Sequence, residues 1–305
     1  MSFNYLGHMA QFNRQITDVT EFRTRLANFT FVHNYIESHN NSGAGWLAGH
    51  NQFSDWSHVE YKQMLGRVGG DLSNDGSVHV FEETDQMSVD WITAGGVTPV
   101  KDQGQCGSCW AFSSTGAMEG AHFVASGELV SFSEQQLVDC AGKRYGNFGC
   151  NGGLQQRAFN YYETHDAELE SVYPYTSGNG VSGTCLYDES SATSVDVADY
   201  NMVTASNPTQ MKAALAQQPL AVSIEADKLV FQVYKSGVFT STKCGTSLDH
   251  AVLAVGYGTE DGQDYWLVKN SWNTTWGDNG YIKLAIVDGD GICGVQMEPL
   301  YPNTN

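Results

Sequence analysis

The stretch QGQCGSCWAFS, residues 103–113, sets Cys106 and Cys109 three positions apart, with Trp110 directly after the second and Gln103 six positions before it. Two cysteines so spaced can form a redox pair, ligate a metal, or serve separate tasks. A thioredoxin-like pair sits in a βαβ unit and usually has its tryptophan ahead of the first cysteine; here the tryptophan follows the second. Zinc needs a second pair of ligands at short spacing, whereas Cys140, Cys150, Cys185, Cys244 and Cys293 are scattered singly. No metal or cofactor is expected. The third reading puts Cys106 in a disulfide and leaves Cys109 a free nucleophile at a helix start, where the helix dipole favours a thiolate. Seven cysteines, an odd number, leave one unpaired in a disulfide-bonded chain.

A thiol nucleophile needs an imidazole, itself oriented by an acceptor. Three histidines follow residue 84: His122, His165 and His250. His122 falls well inside the helix expected after Cys109, and His165 lies in the polar run YYETHDAELE, so both read as structural or solvated. His250 opens the strand DHAVLAVGYG and is placed to reach across a cleft.

The elements that must hold these groups are legible. Residues 109–126 carry Trp110, Ala111, Ala117, Met118 and Ala121 without a proline and stop at Gly127, which predicts a helix with a buried face. SEQQLVD, residues 133–139, predicts a second helix capped by Ser133. From Leu220 onward PLAVSIEA, DHAVLAVGYG, DYWLVKNSW and GYIKLAI predict strands. The fold class is α+β, a helical half and a β half with a cleft between them. Upstream, Glu21, Arg25, Phe29, Ile36 and Asn40 share one face of a helix from Thr17 or Asp18 to just before Asn41. RVGGDLSNDGS, residues 67–77, has no apolar periodicity and predicts a loop or extended linker. The chain therefore divides into residues 1–84 and 85–305, with no cysteine before Cys106 and six of nine histidines in the first part.

Charge narrows the partners. The net charge of −19 divides into −4 for residues 1–84 and −15 for the rest, and no basic cluster is present. Nucleic acid and anionic membranes are not expected as partners. Apolar runs such as Ala251–Val255 are far too short to cross a bilayer. The opening MSFNYLGHMAQFNRQ lacks a charged region followed by an apolar run, so no signal peptide is read in it.

QGQCGSCWAFS, SEQQLVDC, GCNGG, LDHAVLAVGYG and YWLVKNSWNTTWGDNGYI together resemble the papain-like cysteine proteases, most of all the cathepsin L group, over essentially the whole chain. The resemblance implies a papain-like fold, with a helical left domain and a β-barrel-like right domain, preceded by a helical inhibitory prosegment. It makes Cys109 the nucleophile, His250 its acid/base partner, Asn270 the amide holding the ring, and Gln103 an oxyanion donor. It pairs Cys106 with Cys150, Cys140 with Cys185 and Cys244 with Cys293, leaving Cys109 over. Gly152, Gly153, Leu154, Gln155, Ser223, Leu248, Asp249 and Trp272 fall in the substrate cleft. Glu298 falls at the floor of the pocket for the second residue before the scissile bond, where the cathepsin L group usually has a small neutral residue and cathepsin B a glutamate. Arginine should therefore be accepted there beside Leu or Phe.

In the prosegment, Glu21, Arg25, Phe29, Ile36 and Asn40 match the helix motif, with Val32 where an asparagine is usual, and Gly49, Asn51, Phe53 and Asp55 match the second motif. Residues from about 60 to 84 are expected to cross the cleft opposite to a substrate. Protonation of Asp55 is expected to dominate release at acid pH. The implied function is a cysteine endopeptidase made as an inactive proenzyme, acting on proteins and peptides, with its own prosegment as inhibitor. A monomer in a lysosomal, vacuolar or secreted setting is expected. AGKRYGNFG, between Cys140 and Cys150, is too short for the loop by which exopeptidase members block the cleft. Asn273 and Thr275 replace glycines usual in the family, and Asn28, Asn40 and Asn273 head glycosylation sequons. The rival class, a binding or storage protein keeping this fold without chemistry, has nothing in its favour at the catalytic positions.

Overall fold

The computed structural model describes residues 2–69, 77–193 and 197–304. Of the linker expected at 67–77, residues 70–76 lie outside them. The first part holds helices α1 (Ser2–Gln11), α2 (Val19–Asn40) and α3 (His58–Lys62) and strands β1 (Trp46–Ala48) and β2 (Ser77–His79). Then come β3 (Val89–Asp90), α4 (Cys109–Ser126), α5 (Glu134–Cys140), α6 (Gln155–Tyr162), β4 (Val197–Val203), α7 (Pro208–Leu215) and β5 (Leu220–Ile224). The chain closes with α8 (Leu229–Gln232), β6 (Tyr234–Phe239), β7 (His250–Glu260), β8 (Gln263–Lys269), β9 (Tyr281–Ala285) and β10 (Leu300–Thr304).

Local chemistry sets the long helices. Asp18 caps α2 by accepting from Glu21 N at 2.7 Å. One turn on, Arg25 pairs with Glu21 at 2.8 Å and reaches Glu60 of α3 at 2.7 Å. Phe29, Val32 and Ile36 are the buried face, so an apolar residue at 32 is packed where it stands. α4 ends at Gly127, whose φ of 76° only glycine adopts without strain. Ser133 caps α5 by accepting from Gln136 N at 3.0 Å. α1 is held from outside, with Tyr5 buried against Phe22 and Phe29 at 5.5 and 5.2 Å between ring centres.

The strands follow the order β1-β6-β9-β8-β7-β5-β10-β4-β2, with β3 on β7. Both ends of that order belong to residues 1–84. β1 pairs antiparallel with β6, and β2 parallel with β4. The first part thus covers strand edges that would otherwise offer unpaired backbone groups. Two apolar cores result. One joins α4, α5 and α6 through Trp110, Met118, Leu137 and Phe159. The other lies about the sheet and takes in Trp46, Phe53, Tyr61 and Met64 from the first part with Phe231, Trp272 and Trp276.

Candidate active site

Cys109 is the first residue of α4, fully buried, and is the free cysteine among the described residues. Disulfides join Cys106 to Cys150, Cys140 to Cys185 and Cys244 to Cys293. The Cys106–Cys150 bond ties the start of α4 to the Gly152–Gly153 turn. His250 opens β7, and Asn270 follows the end of the neighbouring β8. The two meet at 2.8 Å, His250 Nε2 to Asn270 Oδ1. Asn270 Oδ1 also accepts from Ser271 N at 2.8 Å, which fixes it as the oxygen and makes His250 Nε2 the donor. His250 Nδ1 is left without a partner, free to hold a proton taken from a thiol. Trp272 stacks on the imidazole at 4.5 Å between ring centres and is fully buried.

Gln103 is held from behind. Its Oε1 accepts from Ser271 Oγ at 2.7 Å and Trp272 Nε1 at 3.2 Å, so its Nε2 must face the cleft. There it donates to Met64 O at 2.8 Å and to Cys106 O at 2.7 Å. Met64 belongs to the first part of the chain, and its carbonyl takes up the donor that Gln103 turns toward the cleft.

The next residues pass directly over the thiol. Gly66 N donates to Cys109 Sγ at 3.3 Å, and Gly66 O accepts from Gly153 N at 2.8 Å. Val68 N bonds Gly153 O at 3.2 Å and Arg67 N bonds Asp249 O at 3.0 Å, so the segment runs parallel to Gly152–Gly153. A Cβ on Gly66 would stand 1.8 Å from Gly107 O, so glycine alone fits. A Cβ on Gly152, at φ 108°, would stand 2.6 Å from Gly66 O, so the opposite wall also admits only glycine.

Arg67 fills the pocket beside this segment. Its Nη2 meets Glu298 Oε2 at 2.5 Å, its Nε donates to Ser223 Oγ at 3.1 Å, and its Nη1 donates to Leu248 O at 3.4 Å. Only 5% of the Arg67 side chain is exposed, and 18% of Glu298. Leu154 lines the wall, buried. Gln155 stands behind Ser223, its Nε2 donating to Val222 O at 3.2 Å. Sequence reading placed Arg67 in a linker; the signal that could have found it was the carboxylate of Glu298, which needs a cation.

Electrostatics keep this closed site uncharged. Burial pushes the Cys109 thiol up to about 11, against amide bonds from Ala251 and Gly66 that pull it down. Burial also pulls His250 down to about 4, against the Asn270 bond. Between those values neither group is ionised, so the covered site holds no thiolate. Asp249, beside His250, is pushed up to about 7 by burial, with Asp227 and Glu225 adding to the rise and the Ala226 amide opposing it.

Residues 86–303 match the model of the papain family cysteine proteases, and residues 5–61 that of the cathepsin propeptide inhibitor domain. The chain belongs to the papain family of cysteine proteases. It is 43% identical to digestive cysteine proteinase 1 of Homarus americanus over 303 residues, covering 96% of this chain and 92% of that one. It is 40% identical to cathepsin L of Sarcophaga peregrina over 309 residues, covering 96% and 90%. The structure of digestive procathepsin L 3 from Tenebrio molitor larval midgut superposes with a TM-score of 0.89 at 34% identity, covering 99% of this chain and 98% of that one. The protease is thus a cysteine endopeptidase of papain-like α+β fold. It carries an inhibitory propeptide, works through a thiolate–imidazolium pair and a thioester, and is activated at acid pH by propeptide removal.

The second prosegment motif docks on the β half. Gly49 N donates to Val233 O at 2.8 Å, Asn51 Nδ2 to Gln232 O at 2.7 Å, and Gln232 Nε2 to Phe53 O at 3.0 Å. Phe53 packs edge-on to Trp272 at 5.4 Å. Asp55, fully buried, accepts from the Tyr5 hydroxyl at 3.2 Å and lies 3.4 Å from Arg14. Asn40 is tied through both amide atoms to Ala48. Asn28 is half-buried and donates to Asp55 O at 3.3 Å, while Asn273 is exposed at φ 61°, a conformation asparagine tolerates. Thr275 Oγ1 donates to Gln52 Oε1 at 2.7 Å, so its hydroxyl serves the prosegment contact.

Proposed function

We propose that residues 1–84 are the inhibitory prosegment and 85–305 the peptidase, with Cys109, His250, Asn270 and Gln103 as the catalytic residues. Once the prosegment leaves, water reaches the site and the ionised forms recover. His250 Nδ1 then takes the Cys109 proton, while Asn270 Oδ1 holds Nε2–H and Trp272 shields that bond. The sulfur attacks the scissile carbonyl carbon. Negative charge on the carbonyl oxygen is held by Gln103 Nε2 and Cys109 N–H, and His250 returns its proton to the leaving amine. A water molecule, giving its proton to His250, then hydrolyses the thioester. Gly152 and Gly153 pair with the substrate backbone, Leu154, Ser223 and Leu248 wall the pocket, Gln155 braces Ser223, and Glu298 receives arginine there.

The observation that carries this reading is the course of residues 64–68. Met64 O lies on Gln103, Gly66 N on Cys109 Sγ and Arg67 on Glu298, so the chain uses the groups a substrate would use. The three disulfides support a disulfide-permissive setting, lysosomal, vacuolar or secreted, in which the enzyme works as a monomer. Comparing initial rates of full-length and processed protein on a dipeptidyl fluorogenic substrate at pH 7, where acid does not open the prosegment, tests it. Only the processed form is expected to turn over, and equal rates from both would refute the assignment.

A further inference from the structure

Three of the six prosegment histidines meet in one place. His33 Nδ1 and His50 Nε2 lie 3.0 Å apart. The His50 ring lies flat on Phe29 at 4.4 Å and 11°, with the His8 ring 5.0 Å from the same phenylalanine and 6.3 Å from His50. We propose that the His33–His50 pair, with His8 beside it, is the acid sensor that frees the prosegment, acting at higher pH than Asp55. This rests on the reading of residues 1–84 as an acid-released inhibitor.

Hydrogen-bond chemistry carries the argument. A bond between two imidazole nitrogens exists only while one of them lacks a proton. Protonating both rings removes the bond and sets two cations in contact. His50 Nδ1 is buried without a partner, so a charge there gains nothing from the protein. The charged groups around the cluster do not offset it. Asp55 faces Arg14 at 3.4 Å and His8 Nε2 at 3.7 Å, and neither His33 nor His50. Arg25 is held by Glu21 and Glu60 on the far side. Among the described residues no carboxylate lies within ion-pair distance of His33 or His50.

The cluster is mechanically coupled to the docking contact. His50 stands between Gly49 and Asn51, whose N–H groups bond Val233 and Gln232 of the peptidase. Expulsion of a charged His50 therefore acts on the loop that fastens the prosegment.

The sign and size follow from linkage. Burial, with His33 and His8 nearby, lowers His50 from 6.5 to about 4. A histidine depressed on closure adds stability that is present above its free value and lost as pH falls from 6.5 toward 4. Between pH 7 and pH 5 that difference reduces the closed-to-open ratio about twentyfold. Asp55 is held below its ordinary 3.8, because His8 and the Arg14 and Arg25 guanidiniums outweigh its burial, so its share is lost only below that value. This reverses the order expected from the sequence, in which the carboxylate dominated.

The test uses full-length chain carrying Cys109→Ala, which cannot cleave itself. Amide exchange across residues 47–56 is followed from pH 7 to 4. His50→Phe keeps the stack on Phe29 and cannot take a proton; its opening midpoint should fall by about one pH unit or more, with protection at pH 7 unchanged. Opening at the parent's pH would overturn the proposal. Asp55→Asn should lower protection throughout yet keep the steep loss between pH 6.5 and 5; abolishing that loss would also overturn it. If His50→Phe is already open at pH 7, imidazole NMR of the parent decides. A His50 titration near 4 in the closed chain supports the proposal, and one near 6.5 defeats it. The readout is opening, so failure of the protease assignment would appear separately in turnover.

Discussion

Replacing Glu298 by alanine in the processed enzyme should remove arginine from the pocket while leaving phenylalanine. Arg67 shows what arginine meets there: one carboxylate oxygen at 2.5 Å, Ser223 Oγ at 3.1 Å and Leu248 O at 3.4 Å. The last two are neutral and long, so the carboxylate carries most of the attraction. A charge-assisted bond contributes about 1.5–3 kcal/mol. Glu298 keeps 18% of its side chain in solvent, which brings the expected loss to roughly 1–2 kcal/mol, or about tenfold in kcat/KM. Phenylalanine makes no use of the carboxylate and should change by less than about twofold. The assay is kcat/KM at pH 5.5 for Phe-Arg and Arg-Arg fluorogenic substrates with wild type and Glu298→Ala. A tenfold fall on Arg-Arg alone is expected. Equal loss on both substrates, or none on Arg-Arg, would show that Glu298 does not pair with substrate.

Two further changes probe the closed and the open site. In full-length chain, Gly66→Ala places a methyl 1.8 Å from Gly107 O, between rigid backbones, so the segment cannot seat and unprocessed protein should cleave peptides; full latency would contradict this. In processed enzyme, Gln103→Ala should lower kcat by about a hundredfold with little change in KM, because the lost donor acts on charge that develops in the transition state. A change confined to KM would argue that Gln103 only binds substrate.

Much of this arrangement was readable because local chemistry dictates it. α4 begins at Cys109 and stops at Gly127 as its composition predicts, and His250 opens its strand. The 22 residues of α2 follow from the Asp18 cap and the stripe of Phe29 and Ile36. What stayed hidden depends on partners far along the chain. α1 owes its place to Tyr5 packing on α2. β1 is three residues long and exists because β6, nearly two hundred positions later, offers an edge. α7 is the exception, since its cap Asn207 and first-turn Pro208 are local signals that the sequence itself carries. Arg67 sits among glycines that signal only a loop, and its role comes from Glu298, 231 positions away. The histidines of the prosegment were countable, but that three would surround Phe29 is a property of packing.

The central claim is that Cys109 is the nucleophile and that the prosegment covers it. Iodoacetamide labelling at pH 7, above the range in which acid frees the prosegment, read by peptide mass and residual activity, tests both parts in one measurement. With the prosegment in place the thiol is buried and pushed up to about 11, so full-length chain should take no label. Processed enzyme should take one equivalent, on Cys109, with activity falling in proportion. Equal labelling of the two forms, or full activity in enzyme stoichiometrically labelled at Cys109, would contradict the account.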